Sequence, residues 1–196
     1  GPTRGSYIDT NGVRQIDNLL KPDLVAPGNK ILGASETDRG GGHLNYLALT
    51  YSVLTQNSTA KSNVGKTLMN LSGTSVAAPA VSGAVALMLQ ANPGLTPPLI
   101  KAILQYSAQP IAGANLLQQG AGLLNIHGAV RLSKALVTDI ATKLAAGTMV
   151  AGANILSESK LPTRSSTLNG TSFNWSRIVF VGGNRVASGD ALFTKF

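Results

Sequence analysis

Cysteine, aromatic residues and charged residues are absent or scarce in this sequence of 196 residues. The chain contains no cysteine, which excludes disulfides and metal sites built from thiolates. Aromatic residues make up 5% and charged residues 12%, whereas hydrophobic residues make up 43%. This composition is typical of a globular chain whose core is built largely from small and aliphatic side chains.

Long hydrophobic runs are also lacking. The longest nearly apolar run, residues 76–89, is shorter than the roughly 20 residues that span a bilayer, and it contains Pro79 and Gly83. We therefore expect a buried core helix and no membrane partner. The opening residues, "GPTRGSYIDT", contain no apolar segment of the kind found in a signal peptide.

The charge is unbalanced but not clustered. Sixteen Lys and Arg against eight Asp and Glu give a net charge of +8, yet the cations are scattered and do not alternate with aromatic residues. We therefore expect no nucleic-acid partner. The acidic residues do not form a cluster typical of a strong calcium site, and we predict neither a metal nor a cofactor.

Hydrophobic patterning predicts short strands, then three helices, then a further strand. Residues 1–22 and 35–66 are polar and are predicted to be loops. Short strands are predicted at residues 24–26, 31–34, 67–71 and 177–181, the last followed by a possible hairpin turn at Gly182 and Gly183. Helices are predicted at about residues 75–91, at residues 97–107 after an N-cap at Thr96, and from Asn125 onward, either broken or unbroken through residue 147.

A change of composition near Gly147 predicts a domain boundary. The remaining residues are rich in Ser, Thr, Asn and Gly. We therefore divide the chain into residues 1–147 and a small, partly β extension at residues 148–196.

A serine at the start of an apolar helix is the most notable candidate site. The stretch "NLSGTSVAAPAVSGAVALML" places Ser75 where the helix exposes unpaired N–H groups and partial positive charge. If Ser75 is the N-cap, Pro79 removes the first N–H that would bond to the Ser75 carbonyl and so loosens the first turn. On these features alone, a purely structural capping serine is the better explanation.

Several segments together resemble the subtilisin-like serine proteases, or subtilases. "GTSVAAPAVSGAVALML" resembles the nucleophile motif of that family, and "KPDLVAPGNKILGA" resembles the strand and loop before it. "NPGLTPPLIKAILQYSA" and "QGAGLLNIHGAV" resemble its two closing helices, in the same order. One departure is Ala80, where the family often has His.

The resemblance implies the C-terminal part of a three-layer α/β/α catalytic domain with a mainly parallel sheet. It implies that Ser75 is the nucleophile of a serine endopeptidase and that Thr74 supports the oxyanion. The implied partners are a peptide or protein substrate and the upstream half of the catalytic domain, and the implied location is secreted or in the cell envelope.

The triad Asp and His are expected upstream of Ser75, because in subtilisin the order is Asp, His, Ser. No segment before Ser75 resembles those two family motifs. Asp9 in "DTNG", His43 after three glycines, and His127 beyond Ser75 are interpreted as solvated loop or helix residues. We therefore predict that the isolated chain lacks triad-level proteolysis.

Two alternative readings remain. Residues 60–67, "AKSNVGKT", nearly match a phosphate-binding P-loop, but Ala60 replaces the first glycine and a polar loop precedes the motif. The second alternative is a non-catalytic, degenerate subtilase scaffold or binding module.

Overall fold

The computed structural model describes residues 3, 5–35, 46–55, 68–158, 160–189 and 191–194. The chain divides into two compact units. Unit 1 comprises Gly1–Val25 and Val81–Phe196, and unit 2 comprises Ala26–Ala80.

Short strands precede and follow a block of five consecutive helices, α2 to α6. The strands are β1 (Ser6–Ile8), β2 (Arg14–Ile16), β3 (Ile31–Ala34), β4 (Leu68–Leu71), β5 (Ser165–Leu168), β6 (Thr171–Asn174), β7 (Ile178–Val181) and β8 (Arg185–Ser188). The helices are α1 (Tyr46–Thr50), α2 (Thr74–Ala91), α3 (Pro97–Ser107), α4 (Leu116–Gln119), α5 (Ile126–Lys134), α6 (Ile140–Ala145) and α7 (Ala191–Thr194), with a 3₁₀ turn at Ser52–Leu54.

The predicted loop at residues 1–22 is wrong in part, because β1 and β2 form an antiparallel hairpin there. The turn between them depends on Asp9, whose carboxylate accepts hydrogen bonds from the backbone N–H groups of Asn11 and Val13. Gly12 follows with φ of +77°, a conformation that glycine adopts at little cost. The hydrogen bonds of the turn therefore stabilise the two strands. Hydrophobic periodicity does not predict these strands, because all of their residues are exposed.

The predicted strands at residues 31–34 and 67–71 are present as β3 and β4, but they pair antiparallel, from Ile31 opposite Leu71 to Ala34 opposite Leu68. All four two-stranded sheets of the described residues are antiparallel. The strand predicted at residues 24–26 forms only a single parallel bridge, between Val25 and Leu123. Pro27 lacks an N–H and limits further pairing. The mainly parallel sheet is therefore not confirmed.

The helix predictions agree closely with the structure. Helix α2 begins one residue earlier than predicted, and α3 begins at Pro97 with Thr96 as its N-cap residue. Asn125 caps α5 by accepting a hydrogen bond from the Gly128 N–H. The helical pattern after α5 is broken, since α6 begins only at Ile140.

The expectation that α2 is a buried core helix is not met by the described residues. Two of its 18 residues, Ala84 and Met88, are buried, and these lie four positions apart on one stripe. Leu87 and Leu89 are 46% and 38% exposed. By length and composition alone α2 is also long and apolar enough to cross a membrane, a criterion that core helices of soluble proteins meet as well.

The core of unit 1 forms around α3 and α5. Tyr106, which is fully buried, makes edge-to-face contacts with Trp175 and Phe193 at ring-centroid distances of 6.2 and 4.8 Å. Asn92 is also fully buried, and its amide donates to the carbonyls of Ser133 and Leu136 at the end of α5. Polar and aromatic contacts thus supplement an aliphatic core.

The C-terminal extension consists of two hairpins, β5–β6 and β7–β8. The predicted strand near residues 177–181 and its glycine turn are both present. Both hairpins belong to unit 1, where the Gln105 side chain of α3 accepts from the Phe180 N–H at 2.9 Å. The boundary after residue 147 stays a prediction.

Candidate active site

The candidate nucleophile follows a sharp turn in unit 2. Gly73 has φ of +149°, and its carbonyl accepts from the N–H groups of Val76 and Ala77 at 3.1 and 3.2 Å. Gly73 is therefore at the cap position of α2, Thr74 is the first helical residue and Ser75 the second. The interpretation of Ser75 as the N-cap is wrong, because the N-cap position is held by Gly73, two residues before Ser75.

Ser75 and Thr74 are both exposed at this helix end. The first N–H groups of a helix lack intrahelical acceptors, so this end favours negative charge. Pro79 lies within α2 and cannot donate the hydrogen bond that would normally reach the Ser75 carbonyl. Ser75 therefore lies where negative charge that develops during a reaction would be stabilised.

A loop that includes Gly28, Asn29 and Lys30 holds the turn before Ser75. The Gly73 N–H donates to the Gly28 carbonyl at 2.8 Å. The Ser72 hydroxyl accepts from the Lys30 N–H at 2.8 Å and donates to the Asn29 side-chain oxygen at 3.1 Å. Three hydrogen bonds thus fix the backbone that leads into α2.

Gly28 is required by close approach. A Cβ placed there would lie 2.8 Å from the Ala77 Cβ and 2.8 Å from the Gly73 carbonyl oxygen. Real side chains do not tolerate such distances, so only glycine lets this loop reach the first turn of α2.

The contacts of Gly28, Asn29, Lys30 and Ser72 were missed by the sequence reasoning, which treated Pro27 and Gly28 only as the end of a strand. The sequence did contain a weak signal. Asn29 follows the Pro27-Gly28 pair and Ser72 precedes Gly73, and Pro, Gly, Asn and Ser are all common in turns. Nothing in the local pattern indicates that two turns more than 40 residues apart bond to each other.

The other candidates are not assembled with Ser75 by any described contact. Asp9 belongs to the β1–β2 turn, where hydrogen bonds from Gln15 and the backbone of Val13 and Asn11 lower the pKa of its carboxyl group. His127 is exposed near the start of α5. His43 and the near P-loop at residues 60–67 lie outside the described residues.

No metal centre is formed in the part of the chain that the structure describes, since no three His, Asp or Glu side chains cluster there. The chemistry available at the described turn is that of a hydroxyl and backbone N–H groups.

Comparison with known proteins identifies the family. The sequence model described as the Subtilase family matches residues 6–130, more than half of the chain. The chain is 33% identical over 110 residues to "Serine protease AprX" of Bacillus subtilis (strain 168). The aligned segment covers 56% of this chain and 22% of that protein. It is 36% identical over 105 residues to "Subtilisin-like protease SBT2.3" of Arabidopsis thaliana, covering 54% of this chain and 10% of that protein.

A third similar protein is "Subtilisin-like protease SBT1.9" of Arabidopsis thaliana, at 32% identity over 123 residues, 62% of this chain and 14% of that protein. The matched segments thus span less than a quarter of each of these relatives. The resemblance seen in the sequence is confirmed, and the chain belongs to the subtilase family of serine proteases.

Proposed function

We propose that this chain is the nucleophile-bearing part of a serine endopeptidase. In this proposal the Ser75 hydroxyl attacks the carbonyl carbon of a peptide bond, and the C–N bond breaks with release of the amine fragment. Water then hydrolyses the resulting acyl-enzyme and frees the Ser75 hydroxyl. The backbone N–H of Ser75 and the adjacent Thr74 stabilise the oxyanion of the tetrahedral intermediate. A peptide or protein is the substrate.

The observation that carries this proposal is the placement of Ser75. The hydroxyl-bearing residue is exposed in the first turn of α2, within the segment that matches the family, and directly follows a turn held by Gly28 and Ser72. Holding the nucleophile turn rigid before reaction lowers the cost of orienting it in the transition state.

A general base completes the proposed mechanism. The serine hydroxyl must lose its proton as it attacks, and a His oriented by an Asp accepts that proton in this class of enzyme. We propose that both come from an upstream segment of the catalytic domain, within a three-layer α/β/α fold with a mainly parallel sheet. The subtilase family also leads us to propose a secreted or cell-envelope location.

The experiment is active-site labelling with a fluorophosphonate, performed on the chain alone and after addition in trans of the upstream segment from the parent polypeptide. We expect labelling and peptide hydrolysis only for the combined protein, and we expect Ser75→Ala to abolish both. Ser82→Ala is the matched control, since Ser82 is also exposed and lies seven residues, about two turns, further along α2.

The same experiment decides between the two functions. Strong hydrolysis by the chain alone would contradict the proposed need for an upstream base. A combined protein that folds but neither labels at Ser75 nor cleaves peptides would favour the alternative, a non-catalytic subtilase scaffold.

A further inference from the structure

The paired part of β3 and β4 ends directly before the nucleophile turn. The last paired residues are Ile31 and Leu71, so Lys30 and Ser72 are the next residues on the two strands. Lys30 has φ of +52°, a left-handed conformation that takes its backbone out of the extended form of a strand. Regular backbone pairing of the two strands therefore stops at this point.

The Ser72 hydroxyl continues the link between the two segments where the backbone pairing stops. It accepts from the Lys30 N–H at 2.8 Å and donates to the Asn29 side-chain oxygen at 3.1 Å. A hydroxyl is a short group that can donate and accept at the same time, and Ser72 uses both functions. An aliphatic side chain at this position would make neither bond.

Lys30 is a backbone outlier beside the nucleophile turn. A positive φ is unfavourable for a residue with a side chain, persists where surrounding contacts hold it, and occurs often at functional sites. The N–H group of Lys30 is held by Ser72, which lies three residues before Ser75. The left-handed residue and the proposed nucleophile are thus joined by one short hydrogen-bonded connection.

Gly73 extends this connection into α2. Its N–H donates to the Gly28 carbonyl at 2.8 Å, and its carbonyl accepts from two N–H groups in the first turn of α2 at 3.1 and 3.2 Å. In the part of the chain that the structure describes, the N–H groups of Thr74 and Ser75 have no acceptor. Their direction therefore depends on the bonds that Ser72 and Gly73 make.

The Ser72 bonds lie at the surface, since Ser72, Asn29 and Lys30 are all exposed. A hydrogen bond that water can replace contributes little to the free energy of folding. An oxyanion donor, in contrast, acts only when it is aimed at the position that the oxyanion will occupy, so its direction strongly affects the reaction rate. We therefore expect the Ser72 hydroxyl to affect the rate more than the stability.

We propose that Ser72 is a positioning residue, whose hydroxyl couples the left-handed loop at Asn29 and Lys30 to the turn that aims the Ser75 N–H at the oxyanion. Ser72 does not touch the substrate and exchanges no proton with it. It acts through the backbone of Gly73. This role rests on the proposed peptidase function, because it orients groups that the peptidase reaction uses.

The first measurement needs no peptidase activity. Amide hydrogen exchange is followed by NMR in the complete 196-residue chain, unaltered and with Ser72→Ala. The Lys30 amide loses its acceptor and should exchange about fivefold faster, and the Gly73 amide should also exchange faster because the turn opens more often. The urea unfolding midpoint should stay nearly unchanged.

The second measurement uses the chain combined with the upstream segment of the parent polypeptide. Ser72→Ala should lower kcat for a peptide substrate about fivefold and change KM less than about twofold, because the lost interaction acts in the transition state. A peptide boronic acid, whose tetrahedral adduct with a serine mimics that state, should bind about fivefold more weakly. A role in stability alone would change neither kcat nor boronate binding in the folded protein.

Two variants make both measurements specific. Ser72→Thr keeps a hydroxyl at an exposed position and should restore kcat to within about twofold of the unaltered protein. Ser157→Ala is the matched control, since it removes another exposed serine hydroxyl, which donates to the Ala135 carbonyl at 3.0 Å. It should leave kcat and the exchange of the Gly73 amide unchanged.

The two measurements separate failure of this role from failure of the proposed function. Unchanged amide exchange in Ser72→Ala overturns the positioning role whether or not the protein is a peptidase. If the unaltered combined protein cleaves peptides and Ser72→Ala or Ser157→Ala cleaves them equally to each other, the positioning role alone is overturned. If the unaltered combined protein is folded but inactive, the proposed function fails and the positioning role fails with it.

Discussion

At the scale of single residues, the described part of the candidate active site depends on small side chains that let two turns approach each other. Gly28 lies against the first turn of α2, and Gly73 adopts the positive φ of the turn itself. Ser72 links the two turns by donating one hydrogen bond and accepting another. The nucleophile candidate is thus positioned by neighbours that take no part in the proposed chemistry.

We predict that Gly28→Ala displaces the turn before Ser75. The added Cβ meets the Gly73 carbonyl oxygen and the Ala77 Cβ at 2.8 Å, and relieving such contacts costs about 1–3 kcal/mol. The exchange of the Gly73 amide hydrogen, whose acceptor is the Gly28 carbonyl, should become at least about fivefold faster. Amide hydrogen exchange measured by NMR checks this result.

Gly33→Ala is the control for this change, because a Cβ at Gly33 on β3 meets no heavy atom within 4 Å. It should leave the exchange of the Gly73 amide nearly unchanged. Similar exchange in both variants would show that close approach at Gly28 does not position the turn.

At the scale of elements, buried and half-buried polar side chains join segments that are distant in sequence. Asn92, at the end of α2, binds the carbonyls that terminate α5. Asp23 accepts from Lys101 at 2.8 Å and from Gln105 at 3.1 Å, both on α3. Because these bonds satisfy groups at the ends of helices and loops, they specify which elements of unit 1 lie side by side.

We predict a pH-dependent contribution of Asp23 to stability. Burial raises the pKa of its carboxyl group, but hydrogen bonds and charges from Lys101 and Lys21 together lower it further, below the ordinary value of 3.8. A lowered folded-state pKa stabilises the fold above the unfolded pKa, and the stabilisation is lost as the pH falls through the folded pKa. Asp23→Asn should therefore destabilise the chain at pH 7, by up to about 1 kcal/mol, and less below about pH 3.8.

Urea unfolding at pH 7 and at several lower pH values measures this difference. Asn retains an oxygen that can accept from Gln105, so the variant removes mainly the charge. Asp139→Asn, which breaks the exposed pair with Lys143 on α6, is the control and should cost less at pH 7. A stability difference for Asp23→Asn that does not shrink as the pH falls would contradict the prediction.

At the scale of the whole molecule, α2 exposes apolar side chains, and the relatives reported above are longer than this chain. The matched segments cover between 10% and 22% of the relatives reported above. Leu87 and Leu89 contribute exposed apolar surface that further packing would remove from water. We therefore propose that α2 contacts the upstream segment of the catalytic domain.

We predict that Leu87→Gln weakens association of the chain with that upstream segment about tenfold. Burying the exposed part of a leucine stabilises a contact by about 1–1.5 kcal/mol, which corresponds to this change in affinity. Isothermal titration calorimetry with the upstream segment measures it. Leu117→Gln on α4, where Leu117 is 45% exposed, is the matched control and should bind as the unaltered chain does. Equal binding by both variants would contradict the proposed contact.

The sequence by itself determined the family, the three principal helices and the position of Ser75 close to a helix start. These features depend on short-range patterns: a Gly-Thr-Ser step, apolar residues at helical spacing, and Pro or Asn at helix boundaries. Such patterns are local, so they can be read without knowing which distant residues meet.

Only the tertiary structure decided how β3 and β4 pair and how the Ser72 turn is held. Each depends on contacts between residues far apart in the chain. Strand direction follows from the path of the intervening chain, and a hydroxyl such as that of Ser72 bonds equally well to many partners. The physical reason is that local propensity fixes an element, whereas packing of the remaining chain chooses its neighbours.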